Sequence, residues 1–152
     1  MDCRSVIQEI TATLRPQAEA RGLDFKAALP TAEVLIQTDR RALSQILLNL
    51  ANNAIKFTDH GSVSITIQQS QANGLKLTEF QVVDTGIGIR PEFQAKLFQA
   101  FNRLDAPARS RHEGTGLGLH LSQKLAGLLG GEVTCQSEQG RGITFTLALT
   151  EK

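Results

Sequence analysis

Cysteine is scarce in this chain. Cys3 and Cys135 stand far apart among 152 residues and form no metal-type or redox-type spacing. A reducing, cytoplasmic setting follows as the plain expectation. A surplus of one charge is also missing, since 16 Lys and Arg against 15 Asp and Glu leave a formal net charge of +1. A dedicated nucleic-acid binder carries a basic excess, so nucleic acid is not an expected partner. No apolar run approaches the length that spans a bilayer, and no signal-peptide pattern opens the chain. Membrane contact by this domain is therefore not expected. Internal repeats, linkers and low-complexity segments are absent as well. The three histidines, His60, His112 and His120, form no sequence grouping with Ser or Cys that suggests nucleophilic catalysis. What is present is a globular composition, 41% hydrophobic and 20% charged, long enough for one domain with a real core.

Along the chain, Val6, Ile7, Ile10 and Leu14 recur at helical spacing, with Pro16 expected to kink the helix or begin a second one and Gly22 to end it. "DFKAAL" and "EVLIQT" have strand length, with Pro30 in the turn between them. Asp39 is placed to N-cap a helix running to about Phe57. "SVSITIQQ" alternates with period two, Asn73-Gly74 is a hairpin turn signal, and "LKLTEFQVVD" is the returning strand. Pro91 opens a short helix through "EFQAKLF". Residues 102 to 113 are polar and irregular, a loop with Arg103, Arg109 and Arg111. "GLGLHLSQKLAGLLGG" reads as a helix flanked by glycines, and the strands "EVTCQSE" and "ITFTLAL" close the chain around the turn "QGRG". Hairpins mixed with helices predict a two-layer α/β (α+β) sandwich, with a mixed, mainly antiparallel sheet and helices on one face. A doubly wound sheet is the weaker alternative.

Three stretches carry possible chemistry. On a helix over residues 43 to 57, Leu43, Ile46, Leu47, Leu50 and Ala54 share one side, while Gln45, Asn49, Asn52, Asn53 and Lys56 form a stripe on another. That stripe is equally a solvated face and a set of neutral oxygen ligands plus one cation, suited to Mg²⁺ and phosphates. "VVDTGIGI" ends an apolar strand in Asp84, followed by Gly86 and Gly88. It is either a turn with flexible glycines or a carboxylate that accepts from an exocyclic amine beside backbone that can approach a flat ligand. "GTGLGL" places Gly114, Gly116 and Gly118 where a loop enters a helix, a natural phosphate site. Its spacing is neither the Walker pattern nor G-x-G-x-x-G.

The order of these blocks is more specific than any one of them. "NLANNAIKFT", "DTGIGI", "LFQAF", a polar loop, and "GTGLGLHLSQKLAGLLGGEVTCQSEQGRGITFTL" together resemble the ATP-binding catalytic domain of bacterial sensor histidine kinases. They look like that family's N, G1, F and G2 boxes, over about Leu14 to Leu149. The wider superfamily, with the Bergerat-type fold, includes DNA gyrase, heat-shock chaperones and mismatch-repair ATPases.

The resemblance implies ATP and Mg²⁺ as cofactors and gives roles to residues. Asn53 ligates Mg²⁺; Asn49 supports the phosphate region and is the catalytic candidate; Lys56 meets a phosphate. Phe57 lies against the adenine, Asp84 accepts from its amine, and Gly86 and Gly88 shape that pocket. Gly114, Thr115, Gly116, Leu117, Gly118 and Leu119 bring backbone N–H groups to the phosphates. Phe98 and Phe101 anchor a lid formed by residues 102 to 113. The implied reaction is delivery of the γ-phosphoryl group to a histidine on a separate dimerisation domain, and from there, indirectly, to a response regulator. Residues 1 to 14 are then a remnant of the connecting helix, residues 15 to 152 the catalytic domain, and the fragment a monomer.

Three departures stand out: Glu113 in place of a glycine before "GTGLGL", Ile143 in place of Ser or Thr near the adenine, and no phosphoacceptor segment. A gyrase- or chaperone-type ATPase is disfavoured, because Asn49 replaces the typical water-activating glutamate and cannot act as a base at neutral pH. The lead-in "LRPQAEARGL" weakens a protein-serine kinase of the anti-sigma-factor branch. An inactive nucleotide-binding regulatory module is opposed by the intact Asn53, Asp84 and "GTGLGL".

Overall fold

The computed structural model describes residues 2–58, 61–84, 114–138 and 142–151. Helix α1 spans Cys3–Ala20 and buries Val6, Ile7, Ile10 and Leu14. Asp2 caps its start by accepting from the Arg4 N–H at 3.1 Å. The helix does not end at Pro16. Both Pro16 and Ala12, whose carbonyl loses its partner, lie on the exposed side, and Ala18 beyond them is fully buried. Water can satisfy the freed carbonyl while the buried stripe continues, so the cost of proline is offset. Gly22, at φ +74°, then ends the helix as expected, with its N–H bonded to Glu19 O and that of Leu23 to Ala18 O. Residues 3 to 14 thus belong to the same helix and the same core as residues 15 to 20.

Strand β1 (Asp24–Ala28) follows, then helix α2 (Arg40–Phe57), which the Asp39 carboxylate caps through the N–H groups of Arg41 and Ala42. Strands β2 (Ser62–Ala72) and β3 (Leu75–Asp84) form a hairpin closed by Asn73 and Gly74, both at positive φ, as a two-residue turn of the primed type requires. Helix α3 (Gly114–Leu128) and strands β4 (Gly131–Glu138) and β5 (Gly142–Glu151) complete the described chain.

The strands form one sheet in the order β1-β2-β3-β5-β4, with β1 parallel to β2 and the other neighbours antiparallel. Alternate residues are buried over the first half of β2 (Val63, Ile65 and Ile67), from Thr78 onwards on β3 (with Phe80 and Val82) and on β5 (with Phe145 and Leu147). The apolar ones among them join the apolar stripes of α1 and α2 in one core. One face of the sheet is therefore covered and the other wet, which is the two-layer sandwich and not the doubly wound alternative. Among the described residues, no helix is long and apolar enough to cross a membrane.

One expected strand is absent. "EVLIQT" forms only an isolated bridge between Leu35 and Asp2. Its alternation is real, since Val34 and Ile36 are buried and Leu35 is half exposed. Side chains rather than a neighbouring strand satisfy much of its backbone. Leu35 O accepts from Lys76 Nζ at 2.8 Å and Gln69 Nε2 at 3.2 Å, while Asp2 Oδ1 and Glu151 Oε2 take the N–H groups of Val34 and Gln37. The expected helix after Pro91 lies outside the described residues.

Candidate functional site

Helix α2 carries the asparagine stripe, and its polar residues are not equivalent. Leu43, Ile46, Leu47, Leu50 and Ala54 are buried as their spacing predicts. Gln45, Asn52 and Lys56 are exposed, Asn49 is half-buried, and Asn53 is only 7% exposed. A plain wet face would keep Asn53 in water. Its amide nitrogen is buried and has no hydrogen-bond partner among the described residues. Such a group costs free energy unless a ligand engages the amide.

Asn49 lies one helical turn before Asn53, and hydrogen bonds hold it at both ends. Its Oδ1 accepts from Gln45 Nε2 at 3.1 Å, and its Nδ2 donates to Ser122 Oγ at 3.3 Å. Ser122 is fully buried on α3. The second contact therefore joins the asparagine helix to the helix that begins with "GTGLGL". The neighbouring Gln123 holds the opposite partner of α3: its Nε2 donates to Val133 O at 2.8 Å and its Oε1 accepts from Val133 N at 2.9 Å. Sequence reasoning did not find Ser122 or Gln123. The only signal for Ser122 was a hydroxyl four residues before Ala126, on a face otherwise set for burial.

Asp84 ends β3 and continues the inward side of the strand after Phe80 and Val82. It is 1% exposed, paired in register with Val63 of β2. A carboxylate at that depth is costly without hydrogen-bonding partners or charge compensation. The neighbouring Val83–Thr144 pair brings Ile143 of β5, itself buried, close to Asp84. Helix α2 packs against β2, β3 and α3. Asn53 and Asp84 thus belong to the same helix–sheet layer.

The backbone of Gly114, Thr115, Gly116, Leu117, Gly118 and Leu119 forms the first turns of α3, so the glycine cluster does open a helix. The first N–H groups of a helix have no partner within it and can face an anion. Lys56 sits in the last turn of α2, and Phe57 is that helix's final residue. Gly86, Gly88, Phe98, Phe101, the lid at 102 to 113 and the side chain of Phe57 lie outside the described residues. Among those described, no group of three or more His, Cys, Asp or Glu is placed to hold a metal ion.

Residues 38–152 match the family model described as histidine kinase-, DNA gyrase B-, and HSP90-like ATPase. The signal transduction histidine-protein kinase BarA of Escherichia coli is 39% identical over 147 residues, which cover 93% of this chain and 16% of BarA. The histidine protein kinase DivJ of Caulobacter vibrioides is 38% identical over 148 residues, 97% of this chain and 24% of DivJ. The crystal structure of full-length ShkA in complex with AMPPNP superposes with a TM-score of 0.70 at 32% identity, covering 98% of this chain and 30% of that one. The chain therefore spans a sixth to a quarter of the two curated kinases, and just under a third of ShkA.

Proposed function

The chain belongs to the histidine kinase-, DNA gyrase B- and HSP90-like ATPase family, and from that premise we propose that it holds Mg-ATP for phosphoryl transfer to a histidine on a separate helical domain. The observation that carries this reading is Asn53, a buried amide one turn beyond Asn49 whose Nδ2 donor has no partner among the described residues and suits a phosphate oxygen, leaving Oδ1 for the cation. An asparagine oxygen is a hard, neutral ligand, so the residue fits Mg²⁺. When bound, Mg-ATP supplies the transferable phosphoryl group and the cation that offsets its charge.

The chain's own residues bind and orient. Asp84 accepts from the adenine amine and selects that base by its buried carboxylate. Lys56 and the N–H groups that open α3 meet the phosphates, where fixed positive ends replace water. Asn49 orients the phosphate side and moves no proton, because an amide has no basic lone pair at neutral pH. That distinguishes it from a water-activating glutamate and disfavours rapid ATP hydrolysis. BarA and DivJ are much longer than this chain. The acceptor histidine belongs to a dimerisation domain of the same kinase, to which the residues ahead of the catalytic domain connect, and a response regulator receives the group next.

The test mixes this chain with Mg-ATP and a separately produced histidine-bearing dimerisation domain. Phosphohistidine on that partner, lost with Asn53→Ala, is the expected result. Tight ATP binding with no transfer to any cognate partner supports an inactive nucleotide-binding module instead.

A further inference from the structure

Serine is a mediocre residue in a helix interior, and a hydroxyl taken fully out of water is costly unless bonded. Ser122 is fully buried in α3, with the equally buried Ala126 one turn beyond it on the same face. An alanine would satisfy packing there. The hydroxyl instead receives the Asn49 amide of α2, a residue 73 positions earlier in the chain.

The location of this bond matters more than its strength. Asn49 is four residues before Asn53, and Ser122 is four residues after Gly118. The bond therefore joins α2 and α3 one turn behind the groups that each helix brings to the nucleotide. Gln45 steadies the amide from the other side by donating to Asn49 Oδ1. Gln123, next to Ser122, ties α3 to β4 through both polar atoms of its amide. α3 is thus fixed on two sides directly after its glycine-rich start.

We propose that Ser122 is a positioning residue for nucleotide binding: through Asn49 it sets the spacing between the asparagine face of α2 and the glycine-rich start of α3. This rests on the ATP-binding reading above. Removing the hydroxyl frees the Asn49 amide to turn and lets the two phosphate-facing ends drift apart.

The test is a double-mutant cycle read by calorimetric titration of Mg-ATP into the 152-residue chain. All titrations run at a temperature where circular dichroism shows each variant folded, so a loss of stability alone moves no binding constant. Ser122→Ala weakens binding about 3- to 10-fold, the range of one neutral hydrogen bond. In an Asn49→Ala background the same substitution has almost no further effect, whereas in an Asp84→Asn background its full effect remains. Should Ser122→Ala fail to fold, Ser122→Cys, of similar size and weaker hydrogen bonding, replaces it in the cycle. Wild-type affinity in the single variant, or a loss that adds fully to that of Asn49→Ala, overturns the proposal. A wild-type chain that binds no Mg-ATP overturns the ATP-binding reading itself, and the positioning role with it.

Discussion

Asn53 combines two properties that rarely serve stability together: deep burial and an amide nitrogen without a partner among the described residues. An unsatisfied buried group costs about 1–3 kcal/mol, so its replacement should not weaken the nucleotide-free fold. Asn53→Ala is expected to leave the melting temperature unchanged or raised while abolishing Mg²⁺-dependent ATP binding. Asn52→Ala, at an exposed position three residues beyond Asn49, should change neither quantity. Paired melts and titrations of the two variants check this, and similar behaviour of both would remove the metal role. The thiols give a second expectation at this scale. Burial pushes Cys135 up to about 11, and burial with Asp2 nearby does the same for Cys3. An unfolded thiol titrates near ~8.5, so the fold favours the neutral form. That contribution is fully present below the lower value and is lost as pH rises towards the upper one. At pH 8.5 iodoacetamide should label the native chain far more slowly than the urea-unfolded chain, as mass spectrometry can follow.

Among the elements, those specified by local chemistry were legible and those specified by distant partners were not. The Asp39 cap, the Asn73-Gly74 turn and the inward alternation of β2 each depend on residues within a few positions. "EVLIQT" has the pattern of a strand, yet its carbonyl and N–H partners are Lys76, Gln69, Asp2 and Glu151, which no periodicity locates. Proline at position 16 predicts a kink or the start of a second helix, and the helix instead runs on to Ala20, because the exposure of Pro16 lets the packed stripe continue. The clamp of Gln123 on Val133 is of the same distant kind, and it makes a specific prediction. In Gln123→Glu the new carboxylate still accepts from the Val133 N–H but faces the Val133 carbonyl without a donor. Urea unfolding should show a loss of about 1–3 kcal/mol at neutral pH. The loss should shrink below about pH 4, where protonation returns an O–H donor. A constant loss across that range would mean that the donor is not what matters.

For the whole molecule, the order of the motifs told more than any single motif. Asn53, Asp84 and the glycine cluster are far apart in sequence, and the fold gathers the elements that carry them: α2 packs on both β3 and α3. The sandwich was legible because hairpins and helices alternate irregularly, leaving one sheet face for the helices. The depth of Asn53 and the role of Ser122 were not, since both depend on how α2 and α3 meet. Gly131 shows how tightly the two C-terminal strands, β4 and β5, pack together. A Cβ there would collide with Ala148 O and lie 2.6 Å from the Leu149 side chain, so Gly131→Ala must push β4 away from β5.

The strand order also sets a sequence in time. β2 and β3 meet across a two-residue turn, whereas β3 pairs with β5 through residues such as Lys76 and Glu151, nearly half the chain apart. Closing a long loop is paid in entropy before its contacts form, so the local hairpin should assemble early and β5 dock late. Gly74→Ala, strained at φ +76°, should therefore slow refolding, while Leu147→Ala should mainly hasten unfolding. Stopped-flow folding and unfolding limbs would separate the two effects. Asp84, registered against Val63 in that early hairpin, would then be in place before the rest of the nucleotide pocket exists.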